Sequence, residues 1–383
     1  MNLKSENLVE IRRDFHRFPE LGFKEKRTKD KIIGYLKELG LDVHSGAGIV
    51  GVLRSGEGSK VIGLRADMDA LPIRETNTHD YVSNNTGVMH ACGHDGHMAM
   101  LLGAAHKLST NANFSGTIVF IFQPNEELGL GAKAMMDEGL LENFPMQEIY
   151  GMHNLPGVPT GELLTRSGVI CSSESLFEIK IKGMGGHSSM PQLGRDAITI
   201  GAEVVQALQT IISRRIASGS GAVVSVTEFI SNGQRNVLPG ETILKGDVRT
   251  RHPDDRKKIE LYLNQIASGI ASAHDIEIEV SFETEFIETN NHIKPTEAVL
   301  KTAKKSGLKV TDCKPMSFSE DFAHFSNAVP GCFFLLGNGI DGANNKPLHS
   351  SDYDFNDDLL PIGADFWANL AKNRLSTEGS NSV

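Results

Sequence analysis

The sequence predicts an α/β protein: a mainly parallel sheet covered by helices, with a ferredoxin-like α+β domain inserted into it. Two observations predict this. Short β-rich runs alternate with helical ones over the first 170 or so residues, the pattern of parallel strands joined by crossover helices. The middle of the chain then changes character, its strands alternating with period two in the order β-α-β-β-α-β. The chain has 383 residues, more than one ordinary core accommodates and about right for two domains.

Taken in order, residues from about 6 to 40 carry apolar positions at helical spacing, broken near Pro19 and Gly22 into two helices. GIVGVL and KVIGLRADMD read as strands, HMAMLLGAAHKL as a helix and GTIVFIFQ as a strand. AKAMMDEGLL is the next helix and EIYGMH the next strand. ESLFEIKIKG opens the insertion as a half-exposed strand, followed by the long helix RDAITIGAEVVQALQTIISRR. AVVSVTEFI and ETILKGDVRT pair across a Gly/Asn/Pro loop. DDRKKIELYLNQIASGIASA is a helix opened by acidic residues, as the helix dipole prefers. IEIEVSFETEF closes the insertion. The α/β pattern resumes with helix TEAVLKTAKK, strand CFFLLG and helix PIGADFWANLAKN. The expected domains are therefore 1–172 with 288–383, and 173–287 between them.

Composition excludes several classes. Apolar residues make up 39% and charged ones 22%, the balance of a globular protein rather than a disordered one. The formal net charge of -10 argues against a nucleic-acid partner, which needs a basic face. No apolar run reaches the roughly 18 residues of a membrane span, and the charged N-terminus lacks a signal-peptide core. Four cysteines, Cys92, Cys171, Cys313 and Cys332, are too few for a disulfide framework in a chain this long. A soluble cytoplasmic protein is the expectation. The polar tail STEGSNSV reads as frayed and carries no recognisable chemistry.

The densest chemistry lies in HACGHDGH, residues 90–97, three imidazoles and a thiol in a Gly-rich loop. Cys92 and His94 suit metal ligation, although not with zinc-finger spacing. Two other readings stay open for the loop alone: helix capping, or Cys92 as a nucleophile with His94 as its base. The second leaves the acidic residues elsewhere without a task. Glu126 and Glu127 follow the strand TIVFIF, at the carboxyl edge where open α/β sheets bind ligands. Adjacent residues point differently, so one carboxylate can hold a metal while the other moves a proton. Asp67 and Asp69 end VIGLRADMD, His153 ends EIYGMH, and His349 follows CFFLLG in PLHSSD. Metal-capable groups thus close four strands on one expected edge. One thiolate, one carboxylate and three imidazoles exceed what one tetrahedral zinc takes. Two metals about 3.5–4 Å apart with a shared ligand fit better. Zinc and manganese head the expectation, and cobalt and nickel also suit the donors.

Seven motifs run in one order: RADMDALPI (65–73), MHACGHDGH (89–97), FQPNEE (122–127), GMHNLPG (151–157), KGMGGHSSMP (182–191), NVLPGE (236–241) and LHSSDYDF (348–355). With them the chain resembles the dinuclear-metal aminoacylase/carboxypeptidase superfamily. Within it, the resemblance is to the branch of hippurate hydrolases, auxin-conjugate hydrolases and N-acetyldiaminopimelate deacetylases. The resemblance implies that Cys92, His94, Glu127, His153 and His349 hold two metals, with Cys92 bridging. It makes Glu126 the general base and places Asp67 and Asp69 behind the ligands. It implies that His187 stabilises the oxyanion, often from a partner subunit, and that Asn236 and Arg249 lie near the substrate. The expected reaction is hydrolysis of an N-acyl amino acid, with dipeptidase or carboxypeptidase action as the near alternative and a non-catalytic metal-binding protein as the remote one. A homodimer through the inserted domain is expected, because its open sheet leaves an edge to cover. Asn125 departs from the branch, which usually has a small residue such as Ala there. His16, His90, His97 and His324 read as structural.

Overall fold

A computed structural model describes residues 8–376, so most of the polar tail lies outside the described residues. The chain divides into two compact units. The first comprises residues up to Ile170, Thr289–Lys314 and the chain from Asp321 onward; the second is Cys171–Glu288 with Pro315–Glu320.

The first unit is built on an eight-stranded sheet among the described residues. Its centre is four neighbouring parallel strands, Gly116–Gln123, Val61–Asp67, Glu148–Pro156 and Gly331–Gly339. Gly116–Gln123 and Gly331–Gly339 are buried along their whole length, because helices cover both faces of a parallel sheet and leave no polar side. Antiparallel strands extend the sheet: Asp42–Ser45 and Ile49–Ser55 on one side, with Leu163–Thr165 antiparallel to Gly331–Gly339 on the other. The sequence expectation omitted Asp42–Ser45, Leu163–Thr165 and the outermost Val310–Asp312. These edge strands have four residues or fewer, too few to show a period against their neighbours.

Helix His94–Thr110 is buried on nearly every side, and Gly103 lies within 2.9 Å, measured from an added Cβ, of both Ala364 in helix Leu359–Arg374 and Leu8 in helix Leu8–Arg17. Helix Leu8–Arg17 turns Leu8, Ile11 and Phe15 inward, at the i, i+3, i+7 spacing that lays one apolar stripe on a core. Pro19 and Gly22 separate it from helix Lys26–Glu38, as expected. The core joins Leu64, Phe120, Phe122, Tyr150, Phe334 and Trp367, each at most 1% exposed. Each such side chain contributes roughly 1.5–3 kcal/mol by leaving water.

In the second unit a four-stranded antiparallel sheet runs in the order Val223–Ser231, Glu241–Thr250, Ser173–Lys182, Glu277–Phe286. By position in the chain that is strand 2-3-1-4, the ferredoxin-like arrangement. Ser173–Lys182 alternates buried and part-exposed residues throughout. Its inward Phe177, Ile179 and Ile181 meet Ile200, Val204 and Leu208 of helix Ala197–Thr210 and Ile259 and Leu263 of helix Pro253–His274. Pro315–Glu320 is tied to this unit by the Ser172 amide donating to Phe318 O and by the Ser172 hydroxyl donating to Met316 O. No helix among the described residues is long and apolar enough to cross a membrane.

Candidate metal centre at the carboxyl edge of the sheet

The carboxyl ends of the central strands bring Asp67, His153 and the Glu126–Glu127 pair together, and helix His94–Thr110 begins beside them. His94 is the first residue of that helix, three residues earlier than its apolar pattern suggests. Gly93 makes the early start feasible. Its φ is 90°, and a Cβ there would lie 2.4 Å from Asn154 Oδ1 and 2.6 Å from the Tyr353 hydroxyl. Only glycine accepts both the left-handed backbone and that approach.

Hydrogen bonds fix which nitrogen of each imidazole is free. His94 Nδ1 donates to Asp69 O at 2.8 Å, so its Nε2 lone pair points into the cluster. That Nε2 is buried and unpartnered, 3.8 Å from Asp67 Oδ2, 3.8 Å from Glu127 Oε1 and 4.0 Å from Glu126 Oε2. His153 Nδ1 donates to Asn154 O at 2.7 Å, leaving Nε2 3.3 Å from Cys92 Sγ. His349 Nε2 lies 3.4 Å from Glu127 Oε2. The His349 backbone is left-handed, φ 64°, and its amide donates to Ala91 O at 2.8 Å. A non-glycine residue held this way stores strain, a common feature of functional loops.

These separations suit ions rather than hydrogen bonds. Two ligands each about 2.0–2.3 Å from one tetrahedral ion lie roughly 3.3–3.8 Å apart. The sets Cys92, His94, His153 and Cys92, Glu127, His349 each offer three ligand atoms within 4.8 Å of one another, and Cys92 belongs to both. Glu127 Oε1 and Asp69 Oδ1 are also buried without a hydrogen-bond partner. Burial and the neighbouring carboxylates push the Cys92 thiol well above its ordinary pKa and push Glu127 upward. Burial lowers His153; His349, whose side chain is half exposed, is lowered by partial desolvation and by the neighbouring His94. Uncompensated acidic groups of this kind fit a cation, which inverts the local acidity and takes thiolate and carboxylate as ligands. The buried donors and the orphaned His94 Nε2 and Glu127 Oε1 therefore fit divalent metal.

Behind this cluster lies a buried network. His97 Nδ1 faces Asp67 Oδ1 at 2.7 Å, and its Nε2 faces Asn154 Oδ1 at 2.8 Å and the Asn154 amide at 3.1 Å. Arg65 Nη1 donates to Asp67 Oδ2 at 2.8 Å, and Arg65 Nη2 to Asp321 Oδ1 at 3.0 Å. Asp69 Oδ2 accepts from the Glu127 amide at 3.0 Å. Outer partners like these orient ligands and set their basicity. Sequence reasoning missed Arg65, Asn154 and Asp321. Arg65 and Asn154 sit inside quoted motifs and carry that much signal, whereas Asp321 is 256 residues from Arg65 and no pattern announces it. His97 was expected to be structural; the contacts of its two ring nitrogens make it the link between Asp67 and the strand carrying His153.

Asn125 has a φ of 47°, a left-handed conformation that Asn tolerates better than most residues. Its amide donates to Glu25 Oε1 at 3.0 Å, and its side chain lies where a Cβ on residue 22 would be, which favours glycine there.

In the second unit, His187 is exposed and its Nδ1 accepts from the Ser189 amide at 3.2 Å. Gly186–His187 pairs with Val237–Leu238, and Asn236 O accepts from the Ser188 amide at 3.2 Å. His187 and Asn236 are thus neighbours. Arg249 is on strand Glu241–Thr250 and donates to Glu174, to Asp247 Oδ2 at 2.9 Å and to Ser319 Oγ at 2.9 Å.

Residues 63–373 match the model of peptidase family M20/M25/M40. The chain belongs to this family. A hippurate hydrolase from Campylobacter jejuni is 38% identical over 367 residues, covering 94% of this chain and 94% of its own. Thermostable carboxypeptidase 1 from Saccharolobus solfataricus is 35% identical over 387 residues, covering 98% and 95%. A crystal structure of a dinuclear metal-binding M20 peptidase from Bacillus subtilis matches with TM-score 0.85 at 30% identity, covering 97% of this chain and 99% of that one. In this M20/M25/M40 member the matched region takes in the whole candidate centre, from Asp67 to His349.

Proposed function

We propose that this chain is a metal-dependent amidohydrolase that hydrolyses the amide bond of N-acyl amino acids. The observation that carries the proposal is the convergence of His94 Nε2 and Glu127 Oε1, both buried and unpartnered, with Glu126 Oε2 4.0 Å from the first. In this reading Cys92, His94, Glu127, His153 and His349 would hold two divalent ions, zinc or manganese. Bound there, the ions supply Lewis acidity that polarises the amide carbonyl and brings a water's pKa toward about 7. Glu126 serves as the general base in this reading, taking a proton from the attacking water and returning it to the leaving nitrogen. Arg65 and His97 hold Asp67, and Asp69 holds His94, so the ligand set is oriented before substrate arrives.

His187 is assigned to the oxyanion and Asn236 to the substrate's polar groups. The donors of Arg249 are engaged by Glu174, Asp247 and Ser319. That arrangement favours a structural tie over the place near the substrate that the resemblance implies. The edge strand Val223–Ser231 exposes Val223, Phe229 and Ile230, which supports a homodimer through this unit. Light scattering after size exclusion tests it, and a monomer removes it.

The test of function is release of free amine from a panel of N-acyl amino acids, hippurate among them, and of dipeptides. Metal-stripped, zinc- or manganese-reloaded and Glu126→Gln proteins are compared. Activity returns on reloading and falls about 10²–10⁴-fold in the variant. A preference for dipeptides would favour the carboxypeptidase-like alternative, which the name of the Saccharolobus relative keeps in view. Activity that survives stripping but not thiol alkylation would make Cys92 a nucleophile and end the metal reading.

A further inference from the structure

A second cluster of metal-capable groups lies in the first unit, apart from the sheet edge. His16 is in helix Leu8–Arg17, and Glu75 and His79 are in the loop after the RADMDALPI motif. His16 Nε2 is 3.1 Å from Glu75 Oε1, and His79 Nε2 is 3.3 Å from the same oxygen. All three residues offer ligand atoms within 4.8 Å of one another. We propose that His16, Glu75 and His79 form a separate divalent-metal site, with solvent completing the coordination.

Each side chain is held as a ligand would be. The other nitrogen of His16, Nδ1, faces Asp95 Oδ2 at 2.8 Å, and Asp95 is itself paired with Arg12 Nε at 3.0 Å. A carboxylate on the far nitrogen is the arrangement that orients metal-binding histidines and raises their basicity. Glu75 is fixed by the Ser83 amide at 2.7 Å and the Asn77 side chain at 3.0 Å. His79 stacks on Tyr81 with ring centroids 3.6 Å apart, and the Tyr81 hydroxyl donates to Asp354 Oδ2 at 2.6 Å.

A plain hydrogen-bonded cluster explains only part of this. A protonated His16 between Asp95 and Glu75 would satisfy those three residues. It leaves His79 Nε2 facing the Glu75 carboxylate at 3.3 Å in a geometry poor for a hydrogen bond, although that nitrogen is buried. Coordination to an ion shared with His16 and Glu75 gives its lone pair a full partner. The spacings of 3.1 and 3.3 Å approach those of ligands around one tetrahedral ion. Two imidazoles and one carboxylate select zinc, cobalt, nickel or copper over magnesium or calcium. The His79 side chain is 18% exposed while those of His16 and Glu75 are 0% and 2%, so the ion enters from the His79 side and keeps a solvent position there. Bound, it would clip the first helix to the loop, through residues that none of the groups assigned to hydrolysis include.

The experiment counts metal. Full-length protein is stripped with chelator, reloaded with excess zinc, desalted and measured by mass spectrometry for zinc per chain, beside His79→Leu and Glu75→Gln. Wild type retains one equivalent more than either variant, and cobalt loading gives a wild-type-minus-variant absorption spectrum of tetrahedral type. Because the readout is a difference, it stands whatever the sheet-edge cluster binds. Circular dichroism establishes that the variants are folded; His79 is in a loop, so Leu is tolerated there, and His79→Asn repeats the count with a polar replacement. Equal zinc content in folded wild type and both His79 variants overturns the site.

Discussion

Glu25 offers a measurement whose sign and size follow from its surroundings. Its carboxylate is 1% exposed, with Oε1 accepting from the Asn125 amide and Oε2 unpartnered. Burial, with Asp69 nearby, pushes its pKa up to about 7 from 4.5. The folded state therefore holds this proton more tightly than the unfolded state. Stability contributed by the neutral acid is fully present below about pH 4.5 and is lost as pH rises to about 7. Above that, holding the charge costs about 3 kcal/mol at each 1.36 kcal/mol per pKa unit. Glu25→Gln keeps an acceptor for the Asn125 amide and removes the charge. At pH 8 the variant should be more stable by up to about 3 kcal/mol, and the gap should close toward pH 5. Urea titrations at the two pH values, followed through the fluorescence of Trp367, read this out. Trp367 is the sole tryptophan of the chain and is buried in the core of the same unit. Metal-stripped protein is required, because a dication beside Asp69 would lower Glu25's pKa. A variant equally or less stable than wild type at pH 8, or a gap independent of pH, would refute the reasoning.

Other perturbations test the network and the packing around it. Arg65→Leu leaves Asp67 and Asp321 buried without their shared cation and should cost about 3–5 kcal/mol by chemical denaturation; a loss under 1 kcal/mol would mean the network is not coupled as drawn. Gly22→Ala should destabilise by about 1–3 kcal/mol, since its Cβ would lie 1.8 Å from Asn125 Oδ1. In an Asn125→Ala background most of that cost should vanish, and additive effects in the double-mutant cycle would contradict the contact. Chelation should lower the unfolding midpoint of the first unit, by an amount equivalent to about 2.7 kcal/mol where free metal had stood at 100 times its dissociation constant; an unchanged midpoint would count against the ligand set.

The sequence by itself determined the architecture and much of the chemistry. Apolar strands such as Gly116–Gln123 and the alternating Ser173–Lys182 announce their environments because a fully covered sheet and a one-faced sheet demand different periods. The metal-capable residues were legible because their types are unusual at strand ends and several lie within one short loop. Tertiary structure decided what separates by distance along the chain. It supplied Asp321 as the partner of Arg65, and Ser172's bonds to the segment Pro315–Glu320. It explained Asn125 by a left-handed φ that composition does not reveal. It also set His79 beside His16 and Glu75, side chains that two otherwise unremarkable segments bring within bonding range. Local periodicity reports how one element meets solvent or core; which polar atoms meet across the core depends on long-range packing, which has no period to read.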